Sequence, residues 1–342
     1  MIKVLVVDDS AVMRAFLGRV VASQPDMELV AVAADPVLAI DRIRLKAPDV
    51  ITLDVEMPRM NGLDFLGKLM SVRPLPVIMI SSLTREGADT TLRALELGAV
   101  DFFAKPADLA DLETCAHEIA EKIRAAGLAR VVRRRMNAPV RAAAPVVRTP
   151  GPAASDRVIG IGASTGGVEA LRHILLNLPA RMPPILIAQH MPPGFTETFA
   201  RRLDSICQIG VREAEDGQAA CHGMAYIAPG GRHLSLARRI GGYVLRVTDE
   251  PPVNRHRPSV DPLFRSIARA AGGRAIGVML TGMGGDGAEA MLELRKAGAH
   301  TIAQDEATSV VFGMPRQAIA LGGVLEVLAL GDMAPRLEAL SA

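Results

Sequence analysis

Residues 158–167 read VIGIGASTGG, an apolar run that enters a glycine-rich turn with one serine, Ser164, at its apex. Such a run followed by a helical pattern marks a strand-to-helix turn, which exposes backbone N–H groups together with the apical side chain. The turn can therefore cradle a phosphate, or it can present Ser164 as a nucleophile. Either way it sets the fold class, because similar apolar runs follow: PILIAQH (184–190), AYIAPGG (225–231), AIGVMLTG (275–282) and HTIAQD (300–305). Each has a polar or glycine-rich end, and amphipathic segments separate them. They predict a doubly wound, mainly parallel, Rossmann-like α/β sheet, with an antiparallel hairpin over HLSLARRIGGYVLRVT (233–248).

A chain of 342 residues exceeds one ordinary core. Upstream, the runs KVLVVDD (3–9), LVAVAA (29–34), VITLDV (50–55), PVIMISS (76–82) and DFFAKP (101–106) alternate with helical patterns. They predict a second, five-stranded, flavodoxin-like parallel sheet. Between the two, no acidic residue occurs from Lys122 to Ser155, while Arg124, Arg130, Arg133, Arg134, Arg135, Arg141 and Arg148 accumulate among alanines and prolines. The expected division is a first domain over 1–120, a basic linker over 121–154 and a second domain over 155–342. Without interleaved aromatics or a folded basic face, this run reads as a tether and not as a nucleic-acid tail. A formal net charge of +2 adds no argument for nucleic acid.

The N-terminal MIKVLVVDDS lacks the order of a signal peptide, and no charge-free apolar run is long enough to cross a bilayer. A cytoplasmic protein without direct membrane insertion is expected. Cys115, Cys207 and Cys221 form no C-x-x-C pair, so neither a metal cluster nor a disulfide framework is suggested.

In the first domain Asp8, Asp9 and Asp54 fall at the carboxyl ends of strands, where parallel sheets gather functional groups. Three carboxylates together repel, and a hard divalent cation relieves the repulsion. An aspartyl-phosphate site with Mg²⁺ is a coherent reading. One aspartate alone could simply cap the helix beginning near Ala11. Ser81 and Lys105 end the fourth and fifth strands and bring a hydroxyl and an ammonium to the same pocket. VDDS, DVEMPRMNG, SS and KP, in that order, resemble the receiver domain of two-component response regulators. The resemblance implies Asp54 as phosphoacceptor, Asp8 and Asp9 as Mg²⁺ holders with Asp54, Ser81 and Lys105 as partners of the phosphoryl group, and Phe102 as the aromatic switch residue.

For the second domain, a dinucleotide site would want G-x-G-x-x-G and an acidic residue ending the next strand. Gly160 and Gly162 fit, but Thr165 stands in place of the third glycine and His190, not a carboxylate, ends the next run. GASTG satisfies G-x-S-x-G instead, and His190 is the base that such a serine needs. His256, in the polar loop RHRPSVD, competes for that role, although its flanking arginines suit an anionic peptide better. The orienting carboxylate is Asp286 or Asp305. Asp286 is preferred, since its glycine-rich loop LTGMGGDG could also supply oxyanion N–H groups.

GIGASTGG, AQHMPPGFT, YIAPGGRH, RPSVD, LTGMGGDGAEAM and QDEATSVVFGMP together resemble the catalytic domain of chemotaxis protein-glutamate methylesterases. The resemblance implies a phosphorylation-activated hydrolase that demethylates glutamates, and deamidates glutamines, on the cytoplasmic helices of chemoreceptors. It needs no cofactor for hydrolysis, and a sensor histidine kinase is its phosphodonor. Ser164, His190 and Asp286 are then catalytic, the Met283 N–H binds the oxyanion, and Arg257 grips substrate. The alternative is a receiver fused to a silent module that binds an anionic ligand through the serine loop.

Overall fold

The computed structural model describes residues 1–57, 60–82, 84–106, 112–113, 115–129, 131 and 156–342. The chain divides into two compact units, Met1–Ala138 and Pro139–Ala342. Most of the stretch read as linker lies outside the described residues.

The first unit runs β1 (Ile2–Val7), α1 (Ala11–Ala22), β2 (Met27–Ala33), α2 (Pro36–Lys46), β3 (Val50–Asp54), α3 (Gly62–Val72), β4 (Val77–Ser81), α4 (Arg85–Leu97), β5 (Asp101–Ala104) and α5 (Ala116–Leu128). Its five strands are parallel in the order β2-β1-β3-β4-β5. All five match runs read from the sequence. Helix α5 continues to Leu128, so the first part of the segment assigned to the linker from 121 is helical. The apolar faces of α1, α3 and α5 cover a sheet whose central strands β3 and β4 are buried throughout. Continuous apolar runs, not alternating ones, are what such a doubly covered sheet requires.

The second unit runs β6 (Val158–Ala163), α6 (Gly167–Leu176), β7 (Ile185–Gln189), α7 (Phe195–Ile206), β8 (Gly210–Glu213), β9 (Met224–Ile227), β10 (His233–Arg239), β11 (Gly242–Thr248), α8 (Val260–Ala271), β12 (Ala275–Met279), α9 (Ala288–Lys296), β13 (His300–Gln304), α10 (Met314–Ala320), β14 (Glu326–Leu328) and α11 (Leu330–Ser341). Seven parallel strands are ordered β14-β13-β12-β6-β7-β9-β8, and β10 and β11 form the expected antiparallel hairpin as a separate sheet. The strands at the two edges, β8 and β14, have only four and three residues and lie outside the runs read from the sequence.

Two glycines of the opening stretch have a packing role. A Cβ on Gly160 would lie 2.5 Å from Ile267 Cδ1, and one on Gly162 would lie 2.4 Å from Val260 Cγ1. Helix α8 therefore rests directly on the backbone of β6. Its buried Val260, Phe264 and Ile267 face that strand. In register, Gly162 pairs with Met279 on β12 and with Ala188 on β7, so these three central strands end level with one another.

Replacing Gly162 with Ala should push α8 off the sheet and cost about 1–3 kcal/mol, the usual penalty for overpacking a core. A lower urea midpoint for the second unit, with the first unit unchanged, is the expected reading; an unshifted midpoint would remove the packing role.

Candidate active site

Level strand ends bring three separate segments together. Ser164 directly follows β6, His190 directly follows β7, and Asp286 lies in the loop after β12. The turn at Ser164 requires Gly166 in the left-handed region (φ 78°), where a side chain would also meet Val310 at 2.6 Å. Backbone bonds fix the turn, from Ser164 N–H to Thr281 C=O (3.1 Å) and from Gly167 N–H to Ser164 C=O (2.7 Å).

His190 Nδ1 is 3.1 Å from Ser164 Oγ, and its Nε2 is 2.8 Å from Asp286 Oδ2. The Nε2–H tautomer donates to the carboxylate and leaves the Nδ1 lone pair facing the hydroxyl. The Asp286 side chain is 1% exposed. Its Oδ2 also accepts from Val260 N–H (2.7 Å), and its Oδ1 accepts from Ser259 Oγ (2.6 Å) and Asn254 Nδ2 (2.8 Å). Burial opposes ionisation, but the hydrogen bond and charge of His190, joined by Ser259 and Asn254, outweigh it. The carboxyl is held well below the usual carboxylate range.

The other carboxylate considered, Asp305, follows β13 and has a different task. Its Oδ1 accepts from both the backbone N–H and the hydroxyl of Thr308, closing the turn there. Met283 follows Gly282, where a Cβ would lie 2.8 Å from Ser164 Cβ, and its N–H makes no hydrogen bond among the described residues. Arg257 Nη1 donates to the carbonyls of Asp249 (3.2 Å) and Glu250 (3.3 Å), so at least part of this guanidinium braces its own loop.

His256 is the residue whose place the sequence concealed. Its ring stacks on that of His190, with centroids 3.8 Å apart and planes 9° from parallel. Ligand atoms of His190, His256 and Asp286 lie within 4.8 Å of one another. Parallel stacked rings cannot both direct an in-plane lone pair at one ion, and both nitrogens of His190 already face partners. The set does not suit a metal.

In the first unit Lys105 Nζ is 2.9 Å from Asp54 Oδ2 and 3.4 Å from Asp8 Oδ2. Ser81 Oγ donates to Gly87 C=O (3.2 Å), and the Ser81 carbonyl accepts from Lys105 N–H (2.7 Å). Ser10, not an aspartate, caps α1 by accepting from Met13 N–H. Carboxylate oxygens of Asp8, Asp9 and Asp54 lie within 4.8 Å of one another, and the buried Asp8 Oδ2 has no hydrogen bond despite the nearby ammonium. These residues fit a hard divalent cation. Phe102 is buried on β5, and Lys122 Nζ lies 5.7 Å from its ring centroid.

A hydroxyl, an imidazole and a buried carboxylate in one row form the class of site with which serine hydrolases work. The family model described as CheB methylesterase matches residues 159–337, and that of the response regulator receiver domain matches residues 4–117. A protein-glutamate methylesterase/protein-glutamine glutaminase of Pectobacterium atrosepticum is 57% identical over 99% of this chain and 96% of its own. One of Salmonella typhimurium is 55% identical over the same shares. The crystal structure of the Thermotoga maritima CheB methylesterase catalytic domain is 41% identical, covers 54% of this chain and 99% of that one, and superposes with a TM-score of 0.53. The chain belongs to the CheB methylesterase family and carries a receiver domain ahead of the methylesterase domain. A receiver domain takes its phosphoryl group from a phosphodonor, and a methylesterase acts on an ester-bearing substrate.

Asp54 is raised from 3.8 to about 6, first by burial and then by Asp8, against the pull of Lys105. A carboxyl raised by folding favours the folded receiver below its unfolded value and loses that advantage as pH rises through about 6. In chelator, Asp54→Asn should therefore raise the receiver's urea stability at pH 8 by about 1–3 kcal/mol and leave it unchanged at pH 3. Equal effects at both pH values would contradict this.

Proposed function

We propose that this chain is a cytoplasmic, phosphorylation-controlled serine hydrolase that removes γ-methyl esters from glutamates on chemoreceptor helices and deamidates receptor glutamines. The observation that carries the reading is the Ser164–His190–Asp286 row at three adjacent strand ends. Ser164 Oγ attacks the side-chain carbonyl of the substrate while His190 Nδ1 takes its proton. Asp286, kept ionised by its donors, holds the Nε2–H and stabilises the imidazolium as it forms. The Met283 N–H faces the developing oxyanion. His190 returns its proton to the departing methanol or ammonia, and water, activated by the same ring, then cleaves the glutamyl-serine ester. Each turnover leaves a new carboxylate on the receptor, and exposed Arg255 and Arg257 offer charge to such an acidic surface.

The receiver supplies the control. A sensor histidine kinase transfers its phosphoryl group to Asp54, forming the acyl phosphate as the phosphorus–nitrogen bond to the kinase histidine breaks. Asp8, Asp9 and Asp54 would hold Mg²⁺, which when bound offsets the negative charge gathered there. Lys105 and Ser81 lie where they can follow the phosphoryl oxygens, and Phe102 is the packing residue that responds.

Ser164→Ala should reduce methanol release from methylated receptor by several powers of ten while Asp54 still accepts phosphate from a small acyl phosphate donor. Unaltered release would reject the hydrolase reading and favour a silent anion-binding module. In Asp54→Asn the donor should no longer raise the rate; stimulation equal to wild type would move the phosphoacceptor elsewhere.

A further inference from the structure

We propose that the loop 253–259 is a clamp that positions the reacting groups, with Asn254 acting through Asp286 and His256 acting through His190. The inference rests on the hydrolase reading above and adds a positioning role for two residues outside the Ser164–His190–Asp286 row.

Asn254 Nδ2 carries two hydrogens, and each has a carboxylate. One goes to Asp286 Oδ1 and the other to Asp261 Oδ2, both at 2.8 Å. Two carboxylates flanking one amide would otherwise repel. Asp261 is raised by burial and by Asp286, while Asn254 and Arg265, 3.5 Å away, act against that. Asp261 is itself anchored in α8, where its Oδ1 accepts from Ala290 N–H (3.3 Å). The amide thus ties the acid of the row to a fixed point behind it. Asp286 can then neither rotate nor take up a proton in place of His190.

His256 contacts the row from the other side. Its ring lies flat on His190 at 3.8 Å. In-plane hydrogen bonds set where the His190 nitrogens point, and a face contact prevents the ring from tilting out of that plane. The two actions are complementary because a planar ring needs both constraints to be fixed.

The loop is stiff enough to serve. Val253 and His256 exchange backbone hydrogen bonds of 3.1 and 2.9 Å around Asn254 and Arg255, both in the left-handed region at φ 51° and 66°. Gly231 N–H donates to Arg257 C=O (2.9 Å), and Ser259 N–H donates to the buried His233 Nδ1 (3.3 Å). A loop held at so many points transmits position, not motion.

Because Asn254 is left-handed, Asn254→Gly removes the amide without straining the backbone. In the full-length chain, with methylated receptor as substrate, it should lower kcat about 10- to 100-fold and leave KM unchanged, as loss of an orienting partner does. His256→Ala should lower kcat similarly, and His256→Phe, which restores a flat ring, should recover all but about threefold. Histidine-selective ¹⁵N spectra should show His190 as one Nε2–H tautomer in wild type and as a mixture in Asn254→Gly. A single unchanged tautomer with wild-type kcat in Asn254→Gly would overturn the clamp. So would His256→Phe as inactive as His256→Ala, since that places the His256 nitrogens, not its face, in the reaction. Wild-type turnover by Ser164→Ala would instead overturn the hydrolase reading, and the clamp with it.

Discussion

A buried carboxylate that remains ionised is the constraint around which the second unit is built. Asp286 accepts four hydrogen bonds, and the donors come from three places in the chain: His190 after β7, Asn254 in the loop behind the hairpin, and Ser259 with Val260 at the start of α8. A charge removed from water is tolerated only when its lone pairs are filled. Each of those segments is therefore held in place by the same atom pair, and each in turn fixes the direction in which the carboxylate faces His190. The glycines of β6 belong to this arrangement, because they admit α8 close enough for the Val260 N–H to reach.

The receiver meets a similar difficulty in the opposite way. There the carboxylates of Asp8 and Asp54 share one cation, the ammonium of Lys105, and burial raises both above the ordinary carboxylate value. Donors at Asp286 satisfy the charge completely, whereas at Asp54 the charge is left undersupplied. A fully satisfied carboxylate is a fixture. An undersupplied one keeps lone pairs to offer a hard cation.

Much of this was legible in the sequence because parallel strands covered on both faces are apolar throughout and end in functional residues. KVLVVDD, VITLDV, VIGIGAS and PILIAQH each gave both the strand and the residue at its tip. What stayed hidden came from loops and short edges. Asn254 and His256 belong to no strand, and nothing in VNRHRPSV announces that its chain reverses over the end of β7. Asp286 was preferred over Asp305 for its glycine-rich loop, whereas the physical reason that it meets His190 is strand order. β12 is two strands from β7, with β6 between them, while β13 lies one further out. The extent of α5 was missed because its last turns are alanine-rich like the segment that follows.

The short outer strands of the seven-stranded sheet have a consequence for the life of the chain before it is finished. A parallel sheet whose spatial order departs from chain order pairs distant segments and forms slowly, so its flanks stay open to other molecules for longer. Long, flat flanks would then template pairing between chains. With β14 reduced to three residues and β8 to four, each flank offers a stranger only three or four residues to pair with. Economy at the rim of the sheet thus guards against aggregation in the interval when the central strands are still finding one another.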